Sequence, residues 1–283
     1  MIDVSSLVFT YPSQNAPTLK GLDFQMAEGE IFGFLGPSGS GKSTTQKILM
    51  GLLTGYEGSI NILGKDGKEW GTELYHQIGV GFELPNHFSN LTGLENLQLY
   101  RSFYGSKRDP MELLEMVGLT DAADQRTKNY SKGMKMRLNF VRAILHDPTL
   151  LFLDEPTAGL DPVNARKLKD IILDLKRAGK TIFLTTHHMH DADELCDRIA
   201  LIDEGEIKLM DTPRNLKLQH GENKVLVEHE TAGELQRSEF SLQGLHENAE
   251  FMSILQSGTI ETIHSREATL EDVFIQTTGR GLQ

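Results

Sequence analysis

Apolar residues in this chain form short runs that alternate with helix-like segments. The run Glu30–Leu35 (EIFGFL) ends at a glycine-rich loop, and apolar residues then recur at helical spacing from Lys42 to Leu53. A second helix-like stretch covers Pro162–Arg177. Strands that alternate with helices predict an α/β fold with a largely parallel sheet. The other runs with strand character are LLFL at Leu150–Leu153, TIFLT at Thr181–Thr185 and RIALI at Arg198–Ile202.

Two further regions depart from this alternation. Residues 84–147 have a helical pattern, which predicts a helical insertion in the α/β core. After Thr212-Pro213 the pattern changes again, so we divide the chain into a core at 1–215 and a small α+β extension at 216–283. The insertion has candidate helices in ENLQLYRSFYG, DPMELLEMVGL and SKGMKMRLNFVRAIL, and the extension has candidate strands in VLVEH, EFSLQ and GTIETIHS and a helix in TLEDVFIQTTG.

Composition limits the classes of function. A chain of 283 residues with 39% hydrophobic content can form a sizeable core. Its net charge of -12 disfavours binding to nucleic acid, which selects basic patches. The single cysteine fits a reducing compartment, and the N-terminal MIDVSSLVFTYP has no leader pattern. With no run near the roughly 18 residues of a bilayer span, we expect a cytoplasmic protein that reaches a membrane only through a partner.

The glycine-rich loop matches the pattern G-x-x-x-x-G-K-[ST] between a predicted strand and a predicted helix. Glycines allow backbone amides to turn toward phosphate oxygens, and a helix N-terminus adds positive potential. Lys42 can reach the outer phosphates and the Ser43 hydroxyl can bind Mg²⁺, so ATP and Mg²⁺ are the expected ligands. The predicted phosphate-binding residues are Gly36, Pro37, Ser38, Gly39, Ser40, Gly41, Lys42, Ser43 and Thr44.

A pair of acids follows the apolar run LLFL. Asp154 stands at the carboxyl end of a predicted strand, where ligands gather in parallel sheets, and Glu155 comes directly after it. With the phosphate loop upstream, we expect Asp154 to hold Mg²⁺ or its waters. Glu155 is the candidate base that orients the water attacking the γ-phosphate.

These motifs resemble the ATP-binding cassette (ABC) family, the ATPase subunits of membrane transporters, over residues 1 to 212. The most diagnostic part is YSKGMK at Tyr130–Lys135, which stands where the family has its LSGGQ signature; Ser131 and Gly133 match, whereas Lys132 and Met134 depart. The resemblance implies a P-loop NTPase core with a mostly parallel sheet, an antiparallel β subdomain and a helical insertion. It also implies a head-to-tail dimer, formed with an identical or a similar subunit, in which this loop reaches the ATP of the opposite subunit.

Other family landmarks follow in order, and the resemblance gives each its role. Tyr11 stands where the family places an aromatic ring that stacks on adenine. Asp161, in Gly159-Leu160-Asp161, lies in the loop that couples the two ATP sites. His187 matches the switch histidine that contacts the γ-phosphate.

Glu83 is the main departure from the family pattern, which has a glutamine at this position. An ionised Glu only accepts hydrogen bonds and adds negative charge beside the triphosphate. It could bind Mg²⁺ more tightly, stay protonated or swing away, so we expect Glu83→Gln to keep ATP binding but to alter the Mg²⁺ or pH dependence of hydrolysis.

The stretch TTHHMHDADELC, at Thr186–Cys196, collects zinc-type ligands. The resemblance assigns His187 to phosphate. We expect His188 and His190 to lie at the turn into a helix whose N-terminal end suits the acids that follow. Cys196 is expected to be packed, and without paired-ligand spacing a dedicated transition-metal site is disfavoured.

The resemblance implies a transporter with a separate permease, met through a groove around residues 83–105. YSKGMKMRL and the terminal TLEDVFIQTTG resemble cassettes paired with short six-helix permeases, many of them exporters, which places this chain on the inner face of the cell membrane. The alternative is a soluble cassette ATPase acting on a macromolecular complex. DNA-repair members carry a long coiled coil and ribosome-acting members usually two cassettes; this sequence has one set of motifs. The extension could steady the dimer or bind a regulator, although a packed accessory domain is favoured.

Overall fold

We describe the protein from a computed structural model covering residues 1–220, 223–231 and 234–279. Phenylalanines from several strands pack together in the core formed by the first 210 residues. Phe24 lies 5.5 Å from Phe34 and 5.6 Å from Phe32, centroid to centroid. Phe183 lies 5.7 Å from Phe152. All five rings are buried, and they join an antiparallel sheet to a mostly parallel one in one core.

The chain contains these helices and strands, numbered in order: β1 Ile2–Phe9, β2 Leu19–Met26, β3 Ile31–Leu35, α1 Lys42–Leu49, β4 Glu57–Ile62, β5 Lys65–Asp66, α2 Leu74–Gln77, β6 Ile78–Gly81, α3 Gly93–Tyr104, α4 Pro110–Met116, α5 Lys132–Ile144, β7 Leu150–Asp154, α6 Pro162–Arg177, β8 Thr181–Thr186, α7 Met189–Leu195, β9 Arg198–Asp203, β10 Glu206–Asp211, α8 Pro213–His220, β11 Lys224–Thr231, β12 Glu234–Ser241, α9 Ala249–Ser257, β13 Ile260–Arg266 and α10 Leu270–Thr278.

The six-stranded sheet has the order β10-β9-β3-β8-β7-β6, and its strands from β9 to β6 pair in parallel. Its central strands β3 and β8 are buried along their whole length, as expected where both faces of a parallel sheet are covered. A four-stranded antiparallel sheet has the order β2-β1-β4-β5. The predicted α/β class with a parallel sheet is confirmed.

The helical insertion contains α3, α4 and α5. Thr92 and Glu95 form a capping box at the start of α3, which fixes where this helix begins. The buried Asn96 side chain accepts from the Phe88 N–H and donates to the carbonyls of Phe88 and Thr92, so it ties the preceding loop to α3.

Helix α1 is shorter than the sequence pattern indicated. The apolar spacing extends to Leu53, but the helix ends at Leu49 and Gly51 has a φ of +72°. This left-handed conformation terminates the helix. Of the two leucines beyond it, Leu53 packs against the core, whereas Leu52 is exposed.

The chain forms two compact units, one at Met1–Met210 and a second that begins at Asp211. The second unit has an antiparallel sheet of order β12-β11-β13. Strands appear at all three expected places, but β12 begins at Glu234, five residues before the predicted run. The apolar pattern did not indicate this early start, because most side chains of β12 are exposed and polar. Helices α8 and α9 were not predicted. The core of the second unit is formed by Val225, Val227, Phe240, Phe251 and Ile254.

Across the ranges that the structure describes, no helix has both the length and the apolar character needed to cross a bilayer.

Candidate functional site

The predicted catalytic residues lie at the carboxyl ends of four neighbouring strands of the parallel sheet. β3, β8, β7 and β6 lie side by side, and the chain leaves each of them at its carboxyl end. The glycine-rich loop follows β3, His187 follows β8, Asp154 and Glu155 lie at the end of β7, and Glu83 follows β6. Carboxyl ends of parallel strands are where open α/β sheets bind ligands.

The loop after β3 has a backbone that requires glycine. Gly39 and Gly41 have φ angles of +82° and +113°. At Gly36 a side chain would collide with the Ile202 carbonyl, so only glycine lets the loop approach β9 this closely. The loop leads directly into α1, whose N-terminal amides face the same region. These features fit a phosphate-binding loop.

Lys42 lies inside this loop with 8% of its surface exposed. Its Nζ donates to the carbonyls of Gly36 at 2.6 Å and Pro37 at 2.9 Å. Burial lowers the pKa of Lys42, and the nearby carboxylates, first Glu155 and then Asp154, oppose that shift. The loop carbonyls therefore hold the ammonium in place, and the carboxylates of Glu155 and Asp154 lie near it.

Asp154 is half-buried and accepts a hydrogen bond from the Thr185 hydroxyl. Burial raises the pKa of Asp154, the Thr185 hydrogen bond opposes this shift, and the negative charge of Glu83 adds to it. A cation between these acids would relieve the cost of holding negative charge here.

Glu155 is almost fully buried, at 4% exposure, and has a positive φ of 48°. Its carboxylate accepts from the Thr186 hydroxyl at 3.0 Å and from the His187 backbone N–H at 2.8 Å. His187 Nδ1 also lies 2.7 Å from Glu155 Oε1, and since an ionised carboxylate only accepts, this contact requires the proton on Nδ1. The unusual backbone angle and these bonds fix the carboxylate in one orientation.

Tyr11 lies at the other end of the loop. Its hydroxyl is 3.2 Å from Thr44 Oγ1, and its ring packs edge-on against Phe9 with centroids 4.9 Å apart. A half-buried ring in this position offers an apolar face beside the phosphate loop.

One cavity of about 430 Å³ gathers most of the predicted site. Of the other loop residues, Gly36 and Pro37 supply the carbonyls that hold Lys42, and Ser40 braces the loop through its backbone, bonding to Pro37 and Gly205. Sequence reasoning missed Gln14 and Thr18, which follow Tyr11 and hydrogen bond to each other at 2.8 Å. The cavity is lined by Tyr11, Gln14, Thr18, Ser38, Gly39, Gly41, Lys42, Ser43, Thr44, Glu83, Asp154, Glu155 and His187.

Ser131, Gly133 and Asp161 form a second group, away from this cavity. Ser131 caps α5 and Asp161 caps α6, each accepting from backbone N–H groups of its helix. The side chain of Lys132 lies over Gly159, so the two helix starts are adjacent. The predicted residues thus occupy two surfaces of one chain.

The residues at the cavity fit a magnesium–nucleotide by their chemistry. Ser43 offers an exposed hydroxyl and Asp154 a carboxylate, which are the hard oxygen ligands that Mg²⁺ prefers. The glycine-dependent loop and the buried Lys42 supply positive potential for phosphate oxygens.

Cys196, from the same stretch as His187, is packed, as expected. It is buried, and an added Cβ on Gly33 would stand 2.7 Å from its sulfur, so the thiol fills the space left by that glycine in β3. Burial raises the pKa of the thiol far above its usual range.

Comparison with known proteins agrees with this geometry. The family model described as ABC transporter matches residues 19–158, and a model described as fluoroquinolone efflux ABC transporter C-terminal domain matches residues 223–267. A fluoroquinolones export ATP-binding protein of Mycobacterium tuberculosis is 53% identical over 284 aligned positions, covering 100% of this chain and 94% of the relative. This chain belongs to the ABC transporter ATPase family.

Other members of the family are similar over much of the chain. The linearmycin resistance ATP-binding protein LnrL of Bacillus subtilis is 32% identical, with 94% of each chain covered. The daunorubicin/doxorubicin resistance ATP-binding protein DrrA of Streptomyces peucetius is 38% identical over 78% of this chain and 68% of its own. A dimeric cassette solved in a post-hydrolysis state with ADP and Pi superposes with a TM-score of 0.69 at 27% identity, covering 75% of this chain and 98% of that one. The chain described here is therefore an ATP-binding, ATP-hydrolysing enzyme.

Proposed function

We propose that this cassette hydrolyses ATP to power a membrane exporter, through a dimer of cassettes coupled to a separate permease. The observation that carries the proposal is the cavity that brings Lys42, Asp154, Glu155 and His187 together at the ends of adjacent strands. The relatives that cover nearly the whole chain, named for export or for antibiotic resistance, support the direction of transport.

Most of the predicted residues of the cavity have a part in hydrolysis. The loop amides and Lys42 bind the phosphates, and the Tyr11 ring stacks on adenine. Glu155, held by Thr186 and His187, orients and polarises the attacking water. Ser43 and Asp154 would hold Mg²⁺, which neutralises charge developing on the phosphate oxygens.

His187 joins the base to the phosphate. Its Nδ1 faces Glu155 Oε1, which leaves Nε2 as the ring nitrogen for the γ-phosphate. To donate from Nε2 while keeping this bond, the ring must carry both protons. A cationic His187 would therefore bind phosphate and hold Glu155 at once.

The second surface supports a head-to-tail dimer. Ser131 and Gly133, at the exposed start of α5, present a helix N-terminus with affinity for an anion. In a head-to-tail arrangement this surface of one chain closes the ATP cavity of the other, with Asp161 at the junction. The solved cassette described as dimeric supports the formation of a dimer.

A groove beside α2 and α3 is the proposed permease site. It encloses about 330 Å³, and its walls include a cation–π contact and a pair of stacked rings. Arg142 lies 5.1 Å over the Tyr100 ring, and Tyr104 stacks on His146 at 4.0 Å. Exposed apolar side chains at its rim include Leu52, at 49% exposure. An apolar groove with a polar wall fits an amphipathic helix from a partner.

Leu52→Asp tests both the permease and the export assignments. We expect the variant to lose copurification with the proposed six-helix permease, because a charge at the rim must be desolvated when the partner helix binds. Cells making the pair should then accumulate a fluoroquinolone to the level of cells without it, whereas the wild-type pair lowers accumulation. Leu235→Asp, at a similarly exposed site in the second unit, is the control. Retained copurification and efflux with Leu52→Asp would rule out this groove.

Glu83→Gln tests the unusual acid. Glu83 adds negative charge beside Asp154 and Lys42, so its neutralisation should weaken the attraction for Mg²⁺. We expect the Mg²⁺ concentration for half-maximal hydrolysis to rise about threefold, with ATP affinity unchanged. Glu28→Gln, an exposed acid between β2 and β3, is the matched control. Identical Mg²⁺ profiles for wild type and Glu83→Gln would remove any special role for Glu83.

A further inference from the structure

The structure brings a carboxylate from another strand, that of Glu155, beside two histidines of the stretch Thr186–Cys196. Glu155, His187 and His188 each offer a ligand atom, and these atoms lie within 4.8 Å of one another. Glu155 is buried, whereas both histidines are exposed, and their rings lie 4.1 Å apart between centroids. One carboxylate and two imidazoles form a donor set that zinc uses in proteins.

A buried threonine holds this donor set together. The Thr186 hydroxyl donates to Glu155 Oε2 at 3.0 Å and accepts from the His188 backbone N–H at 2.9 Å. Thr186 itself is 1% exposed at the end of β8. Partners that orient metal ligands in this way strengthen metal sites, because less order has to be imposed when the ion binds.

We propose that Glu155, His187 and His188 bind a divalent transition-metal ion of the zinc class, and that this ion inhibits hydrolysis. Zinc binds nitrogen and oxygen at about 2.0–2.2 Å, which sets its ligand atoms roughly 3.3 Å apart. His187 Nδ1 lies closer than this to Glu155 Oε1, at 2.7 Å, so this pair must move apart slightly when the ion binds. Rotation of the two exposed rings achieves this while Glu155 stays in place. Each imidazole binds as the neutral ring through one nitrogen, and the remaining coordination position is open to water.

The donor set distinguishes zinc from magnesium. Mg²⁺ demands oxygen ligands in octahedral geometry, and two imidazoles do not supply them. A second cluster of His190, Asp191 and Glu194 is a weaker candidate, because its carboxylates already pair with Lys169 and Arg166. Those ion pairs would have to break before a metal could bind.

Inhibition follows from the proposed function of Glu155, on which this half of the inference rests. A metal bound to its carboxylate withdraws the oxygen that polarises water, and it also occupies the ring that contacts the γ-phosphate. His188 takes part in metal binding alone, so its removal separates the two roles.

The direct test is titration of Zn²⁺ into the full-length, nucleotide-free protein, purified without a polyhistidine tag and followed by isothermal titration calorimetry. We expect one strong site per chain, and we expect His188→Ala to weaken it by at least about tenfold. His190→Ala, two residues along and also exposed to solvent, should bind as wild type. Unchanged zinc affinity in His188→Ala, or its loss in His190→Ala, would overturn the site.

The second arm measures ATP hydrolysis at saturating Mg²⁺ with free Zn²⁺ set by a chelator buffer. Wild type should be inhibited over the concentration range in which it binds Zn²⁺, whereas His188→Ala should need about tenfold more zinc and keep its uninhibited rate. Zinc binding through His188 with no loss of hydrolysis would reject the inhibitory role. It would also count against Glu155 as the base, whereas absence of zinc binding leaves that assignment intact.

Discussion

Replacement of Glu155 by Gln lowers the rate of ATP hydrolysis about a thousandfold while ATP still binds. The amide has nearly the same shape and can still accept from Thr186, so the fold around it is retained. It cannot take up a proton from water, and it weakens the contact with His187 Nδ1. The measurement is release of phosphate at saturating Mg²⁺ and ATP, alongside ATP affinity by calorimetry.

The control for this variant is Glu28→Gln, which makes the same chemical change on an exposed turn. Its hydrolysis rate should equal that of wild type. A Glu155→Gln protein that hydrolyses ATP within about tenfold of the wild-type rate would exclude Glu155 as the base, since general-base catalysis contributes at least about a hundredfold.

Replacement of Lys42 by Ala acts one step earlier, on nucleotide binding. The buried ammonium is the positive charge that the loop holds between two of its own carbonyls and the acids Glu155 and Asp154. Without it the triphosphate meets those acids unscreened. We expect ATP affinity to fall about a hundredfold, as for loss of a charge-assisted contact in a desolvated site.

Lys47→Ala is the matched control, because Lys47 lies on the same helix but is exposed. Calorimetric titration with Mg²⁺ and ATP should give wild-type affinity for Lys47→Ala and weak or undetectable binding for Lys42→Ala. Equal affinities for the two variants would show that phosphate binding does not depend on the loop lysine.

The sequence predicted best those elements whose ends carry local signals. Helix α6 runs from Pro162 to Arg177 as predicted, because Asp161 caps it and Pro162 occupies its first position. The glycine-rich loop was located by its pattern, and its positive φ angles explain why the pattern needs glycine. Short-range chemistry of this kind can be read from neighbouring residues.

Interactions between distant parts of the chain could not be predicted in the same way. Glu155 and His187 are 32 residues apart, and only the pairing of β7 with β8 brings the carboxylate to the ring. The Thr186 hydroxyl that links Glu155 to His188 depends on the same pairing. Strand β12 has few apolar side chains, so its hydrogen-bonded partner β11 rather than its own pattern determines its length.

We expect ATP to close two cassettes head to tail around the nucleotide, with Ser131 and Gly133 of each chain completing the other chain's cavity. Light scattering of Glu155→Gln during size-exclusion chromatography measures this, since this variant is expected to bind ATP and barely turn it over. The mass should be that of one chain without nucleotide and of two chains with Mg²⁺ and ATP, and a Ser131→Arg change in the same background should restore the single-chain mass. A Glu155→Gln protein that remains a single chain at saturating ATP would exclude dimerisation driven by ATP.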